Sequence, residues 1–132
     1  MKGIADTGFI VAFGNKSDKF HYWALEIAQN LTEPLLTCEA VISEAAFHLG
    51  SSEYVLSLVD EGLLKIAFNA EKKIDRLKDL ARKYNDRDPD FADLCLICMS
   101  EQYSKHVIIT ADKTDFMIYK KNGREVIPVL FP

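Results

Sequence analysis

Apolar residues recur along this chain in short runs separated by longer stretches of helical spacing. Gly3-Ile4-Ala5 is a brief apolar run ending at the polar pair Asp6-Thr7, the pattern of a strand. Phe9, Ile10, Val11, Ala12 and Phe13 continue as a helix until Gly14-Asn15 breaks it. After Asp18, the residues Phe20, Trp23, Ala24, Ile27, Ala28 and Leu31 fall three or four apart, and Pro34 stops that helix. Leu35-Leu36-Thr37 reads as the next strand. Residues 39–49 spell a helix closed by Gly50, residues 54–59 begin another that ends by Gly62, and residues 63–68 form a third strand. Residues 70–84 predict a charged helix with Ile74, Leu77, Leu80 and Ala81 on one side, followed by a loop over 85–87. Asp88-Pro89 opens the next helix, with Asp as N-cap and Pro at the first helical position, and apolar residues run on to about Met99. Val107-Ile108-Ile109-Thr110 is a strand, residues 112–119 a short helix and residues 126–130 a closing strand.

Strands alternating with helices of ten or more residues predict an α/β fold, an α/β/α sandwich with a central parallel sheet and right-handed crossovers. The 132 residues suit one domain spanning 1–132, and the chain has neither repeats nor low-complexity stretches. In such sheets ligands sit beyond the carboxyl ends of the strands, where Asp6 and Asp112 both fall.

Composition narrows the functional classes. No run approaches the roughly 18 uninterrupted apolar residues of a membrane span, and Asp6 arrives too early for a signal-peptide hydrophobic region. The expectation is a cytoplasmic protein with no membrane association. Cys38, Cys95 and Cys98 are an odd number in a chain that needs no staples, so reduced thiols are expected. A net charge of −4 argues against a dedicated DNA-binding module with a long basic face. The charge is unevenly spread: residues 1–69 hold 4 Lys/Arg against 9 Asp/Glu, and residues 70–132 hold 12 against 11. Lys72, Lys73, Arg76, Lys78, Arg82, Lys83 and Arg87 could meet phosphates. Interleaved with Glu71, Asp75 and Asp79, they also read as a solvated helix face.

The candidate chemistry lies in carboxylates. Glu44 borders the apolar stripe of Cys38, Ile42, Ala45, Ala46 and Leu49, and Asp93 opens the apolar run 94–99, with Asp90 three residues earlier on the same helix face. Such acids are costly to desolvate unless something compensates them. Gathered together they raise each other's pKa, and a divalent cation reverses that repulsion. Oxygen-only ligands favour Mg2+ or Mn2+ over zinc, and there is no matched His/Cys set. An ion so held activates water and stabilises charge developing on a phosphodiester, the chemistry of nucleic-acid hydrolysis.

The segments Ala5-Asp6-Thr7-Gly8-Phe9, Asp18-Lys19-Phe20-His21, Leu36-Thr37-Cys38-Glu39-Ala40-Val41-Ile42-Ser43-Glu44, Asp90-Phe91-Ala92-Asp93-Leu94 and Ile109-Thr110-Ala111-Asp112-Lys113-Thr114-Asp115-Phe116 resemble the PIN-domain family in order and spacing, over essentially the whole chain. The resemblance implies an α/β/α nuclease using magnesium or manganese, and at this size a VapC-type toxin that cleaves RNA. Carried over by position, it implies a catalytic and metal-binding quartet of Asp6, Glu44, Asp93 and Asp112. Asp90 and Asp115 would be accessory acids, and Thr7 and Thr110 small hydroxyl residues beside the site. Cys95 and Cys98 stand where the family usually has small residues, a departure that bears on packing. A homodimer and an antitoxin protein are the partners it implies, in addition to the RNA substrate.

Asp6-Thr7-Gly8 is also the triplet of aspartic proteases, but that fold is nearly all β. A haloacid-dehalogenase-like phosphatase needs a second Asp where Gly8 stands. Cys95 and Cys98 have redox spacing inside an apolar run, which favours packing over reactivity. His21, His48 and His106 read as surface or packing residues, although the context of His21 matches the family. Two functions from different classes therefore remain. One is a metal-dependent endoribonuclease, the toxin of a type II toxin-antitoxin pair; the other is a catalytically weak PIN fold that binds RNA or protein.

Overall fold

A computed structural model describes the backbone of residues 1–132 and every side chain except those of residues 113–115. The first half of the chain forms β1 (Gly3–Ala5), α1 (Thr7–Gly14), α2 (His21–Gln29), β2 (Leu35–Thr37), α3 (Glu39–Leu49), α4 (Ser52–Asp60) and β3 (Leu64–Ile66). The second half forms α5 (Ile74–Lys83), α6 (Phe91–Gln102), β4 (Val107–Ile109), α7 (Lys113–Ile118), β5 (Lys120–Lys121), β6 (Glu125–Val126) and β7 (Val129–Leu130).

Five of these strands pair in parallel in the order β3-β2-β1-β4-β7, flanked by helices, which gives the α/β/α sandwich expected from the pattern. Ile4, Leu35, Leu64, Ile108 and Ile109 are fully or almost fully buried, as strands covered on both faces require. The chain moves from β1 outward through β2 to β3, then returns to place β4 on the other side of β1, with Ala5 level with Ile109. The carboxyl ends of β1 and β4 are therefore the switch point of the sheet. Helix α6 is apolar nearly all round because it packs against β1, β4, α3 and α5, and Leu94 through Ser100 are buried. Cys38, Cys95 and Cys98 are buried free thiols.

Four local expectations need correction. Asp88 does not cap α6: it sits in the left-handed region at φ 48°, following a 3-10 turn at Asn85–Arg87 in place of the expected loop. The cap is Asp90, extended at φ −78° and ψ 168°, whose carboxylate accepts from Asp93 N at 2.9 Å. The helix expected over 70–84 begins with a 3-10 turn at Glu71–Lys73 before α5 proper. The second helix starts at His21, because Asp18 and its neighbours are spent on a hydrogen-bonded turn. The closing strand is divided: β6 pairs antiparallel with β5, and only β7 joins the main sheet, where Pro128 O accepts from Ile108 N. The hairpin turns at Asn122 (φ 51°) and Gly123 (φ 81°), and Arg124 N donates to Lys121 O across it.

Arg76 on α5 holds Glu101 on α6 with two bonds, Nε to Oε1 at 2.9 Å and Nη2 to Oε2 at 2.7 Å, and Glu101 Oε2 also accepts from Asn122 N at 2.6 Å. Burial pushes the Glu101 carboxyl up, but the Arg76 guanidinium and the Asn122 N–H outweigh it and leave it below the usual range. Arg76→Ala strips a largely buried carboxylate of its bidentate partner and should cost about 1–3 kcal/mol in urea unfolding. Loss of under 0.5 kcal/mol, roughly the ordinary surface-substitution range, would show that the pair does not fasten the hairpin to the helices.

Candidate functional site

β1 delivers Asp6 to the carboxyl edge of the sheet, where its backbone N donates to Ile109 O at 3.0 Å and its side chain caps α1, accepting from Thr7 N at 2.7 Å. The second carboxylate oxygen accepts from the buried Thr110 hydroxyl at 2.7 Å, and Thr110 Oγ1 in turn accepts from Asp112 N at 3.0 Å. On the other side the Thr7 hydroxyl donates to Glu44 Oε1 at 2.7 Å. These bonds tie the ends of β1 and β4 to the middle of α3. Asp93 lies in the first turn of α6, below the Asp90 cap, and the Tyr119 hydroxyl donates to Asp93 Oδ2 at 3.4 Å.

Asp6, Glu44, Asp90, Asp93 and Asp112 all line one open cleft of about 500 Å3 at this edge. Asp6, Glu44 and Asp93 are half-buried, whereas Asp90 and Asp112 are exposed. Burial pushes the Asp6 carboxyl up to about 6; Glu44 and Asp90 add repulsion, while the bonds from Thr110 and Thr7 pull it back down. Asp6 thus carries a charge that the protein compensates only in part. Gly8 allows the approach of α1 to the loop after β4: a Cβ there would stand 3.0 Å from Ala111 Cβ and 3.2 Å from Ala111 N.

A model of the PIN domain matches residues 4–121. The chain belongs to the PIN-domain family. PIN domains are usually nucleases, they act on RNA or DNA, and they typically use divalent metals. No curated protein matches the chain. No helix among the described residues is long and apolar enough to cross a membrane.

The PIN cleft holds donors suited to a hard cation: carboxylates, hydroxyls and no thiol or matched histidine set. As the side chains stand, no three His, Cys, Asp or Glu residues among the described ones form a group that could hold a metal ion. The donor chemistry fits such an ion. Asp115, expected as an accessory acid, has a side chain outside the described residues.

Asp18, Lys19, Phe20 and His48 also line the cleft, and the sequence reading did not place them there. His48 is one turn beyond Glu44 on α3, and its spacing of four residues could have signalled a shared face. Lys19 and Phe20 reach the cleft from the turn before α2, a tertiary placement with no periodic signal. His21, read as a surface or packing residue, is buried and bonds Ala12 O through Nδ1 at 2.8 Å.

Proposed function

We propose that this PIN domain is a metal-dependent endoribonuclease and the toxin of a type II toxin-antitoxin pair. Asp6, Glu44, Asp93 and Asp112 would hold Mg2+ or Mn2+. The observation that carries the reading is the convergence of these acids on one cleft at the switch point of a parallel sheet. When bound, the ion would supply charge stabilisation at the phosphodiester and lower the pKa of water.

The chain's own residues prepare that site. Thr7 and Thr110 fix the orientation of Asp6 and Glu44 through short hydrogen bonds, so less freedom is lost when the carboxylates converge. Asp90 fixes the first turn of α6 and so the height of Asp93. The protein would work in the cytoplasm. An antitoxin and a second copy are the partners the toxin reading requires, and the exposed Phe47, Leu56 and Ile66 along an apolar groove of about 640 Å3 support a protein surface there.

The rival reading, a PIN fold that binds without turnover, draws on the observation that no three acids among the described residues already stand as a ligand set. Matched single-stranded RNA and DNA oligonucleotides, incubated with the protein and Mn2+, separate the two. Cleavage of RNA in preference to DNA is expected; RNA retained intact in a stable complex would establish the rival.

Gly8→Ala gives a second test. Alanine gains up to about 1 kcal/mol of helix propensity, while overpacking typically costs about 1–3 kcal/mol, so stability should change little or fall. The Cβ must push Ala111, and with it Asp112. Cleavage should drop several-fold in a steady-state assay, and unchanged turnover would refute the tight packing of α1 against the Asp112 loop.

A further inference from the structure

The cleft is lined by six acids, and Lys19 is the one lysine or arginine among the described residues that line it. A lysine in such company would ordinarily fold onto a carboxylate. Lys19 does not: it makes no ion pair among the described residues, and its Nζ rests over the Phe20 ring, 4.9 Å from the centroid. The ring quadrupole attracts the ammonium.

The platform is built into the fold. Asp18 Oδ1, the carboxylate nearest in sequence, accepts from Phe20 N at 2.8 Å. Asp18 N donates to Asn15 O and His21 N to Asp18 O, both at 3.0 Å, which closes the turn between α1 and α2. Phe20 stands edge-on to Trp23, and Trp23 edge-on to the buried Phe9, so the ring is anchored to the core.

A nucleic-acid strand approaching this edge meets repulsion from the acids, only part of which a bound cation would relieve. An exposed ammonium held on a fixed aromatic plate beside the cleft gives the strand a sequence-independent contact. We infer that Lys19, seated on Phe20, is the substrate-binding residue that anchors a backbone phosphate of the RNA at the cleft. This rests on the nuclease reading for its substrate. A lysine that instead served the acids would alter cation binding and leave RNA affinity alone.

The test places Lys19→Gln and Lys19→Arg in an Asp6→Asn background and measures anisotropy of a labelled single-stranded RNA over a range of NaCl with Mn2+ present. Losing one phosphate contact should weaken binding of Lys19→Gln about tenfold and make its salt dependence shallower by roughly one unit of log-log slope, with Lys19→Arg within about threefold of the parent. In the catalytically intact protein Lys19→Gln should raise KM with little change in kcat, and its Mn2+-induced rise in Tm should match that of the unmodified chain. Equal RNA affinity and salt slope with and without Lys19 would overturn the assignment. So would a change confined to kcat or to the Mn2+ response, or a parent that binds no RNA. RNA binding that depends on Lys19 in a protein that never cleaves would instead sink the nuclease reading and leave the anchor standing.

Discussion

Asp6→Asn should lower RNA cleavage by about three orders of magnitude and at the same time make the metal-free protein more stable. The substitution preserves shape: the side-chain oxygen still accepts from Thr7 N, and the Thr110 hydroxyl, which also lies 3.2 Å from Asp112 O, can turn its proton there and accept from the introduced amide. What disappears is one negative charge. In the native chain that charge is disfavoured, since the carboxyl titrates at about 6 against an ordinary value of 3.8. The native state therefore holds its proton more tightly than the unfolded state does. The group's contribution to stability is fully present below the unfolded value and is lost as pH rises through about 6. Between those limits the penalty grows to between about 1 and 3 kcal/mol at neutral pH. Urea unfolding of the metal-free protein at pH 5 and pH 7.5 should show Asp6→Asn more stable than the parent at both, with an advantage at pH 7.5 about twice that at pH 5. Full cleavage activity in the variant, or a metal-free variant less stable than the parent at pH 7.5, would contradict the role given to Asp6.

Mn2+ should raise the melting temperature by roughly 8–13 °C when present at a hundred times its Kd. Binding to the native state alone contributes about 2.7 kcal/mol at that ratio, and a chain of this length shifts by roughly 3–5 °C per kcal/mol. Relief of the repulsion that Glu44 and Asp90 exert on Asp6 is part of that gain. The increment should shrink at pH 5, because a proton on Asp6 must be displaced before the carboxylate can bind a cation. Thermal melts with and without MnCl2 at the two pH values check both parts. An increment equal at pH 5 and 7.5 would place the cation elsewhere on the protein.

The sheet and the acids were legible in the sequence for the same reason. Short apolar runs such as Gly3-Ile4-Ala5 and Val107-Ile108-Ile109 admit only a buried parallel strand when helices separate them, and an acid just after such a strand lands at the ligand edge. The cap of α6 was not legible, because Asp88-Pro89 and Asp90 both satisfy the local preferences and the left-handed turn at Asp88 decides between them. The β5–β6 hairpin carried its own signal in Asn122-Gly123, a pair suited to two successive positive φ values, but strands of two residues leave no periodic trace. Lys19 and Phe20 reach the cleft only through the turn that Asp18 closes and the packing of Phe20 on Trp23. Contacts of that kind arise between elements and have no spacing along the chain.

The most direct test of a metal-dependent nuclease in this cleft is the chemistry of the cut ends. Single-stranded RNA incubated with the protein and Mn2+ should yield fragments with 5′-phosphate and 3′-hydroxyl ends, since attack by water leaves the ribose 2′-hydroxyl unused. EDTA should stop the reaction, added Mn2+ should restore it, and an Asp6→Asn preparation purified in parallel should cleave about a thousandfold more slowly. Cyclic-phosphate ends, cleavage that persists in EDTA, or equal cleavage by the Asp6→Asn preparation would contradict it.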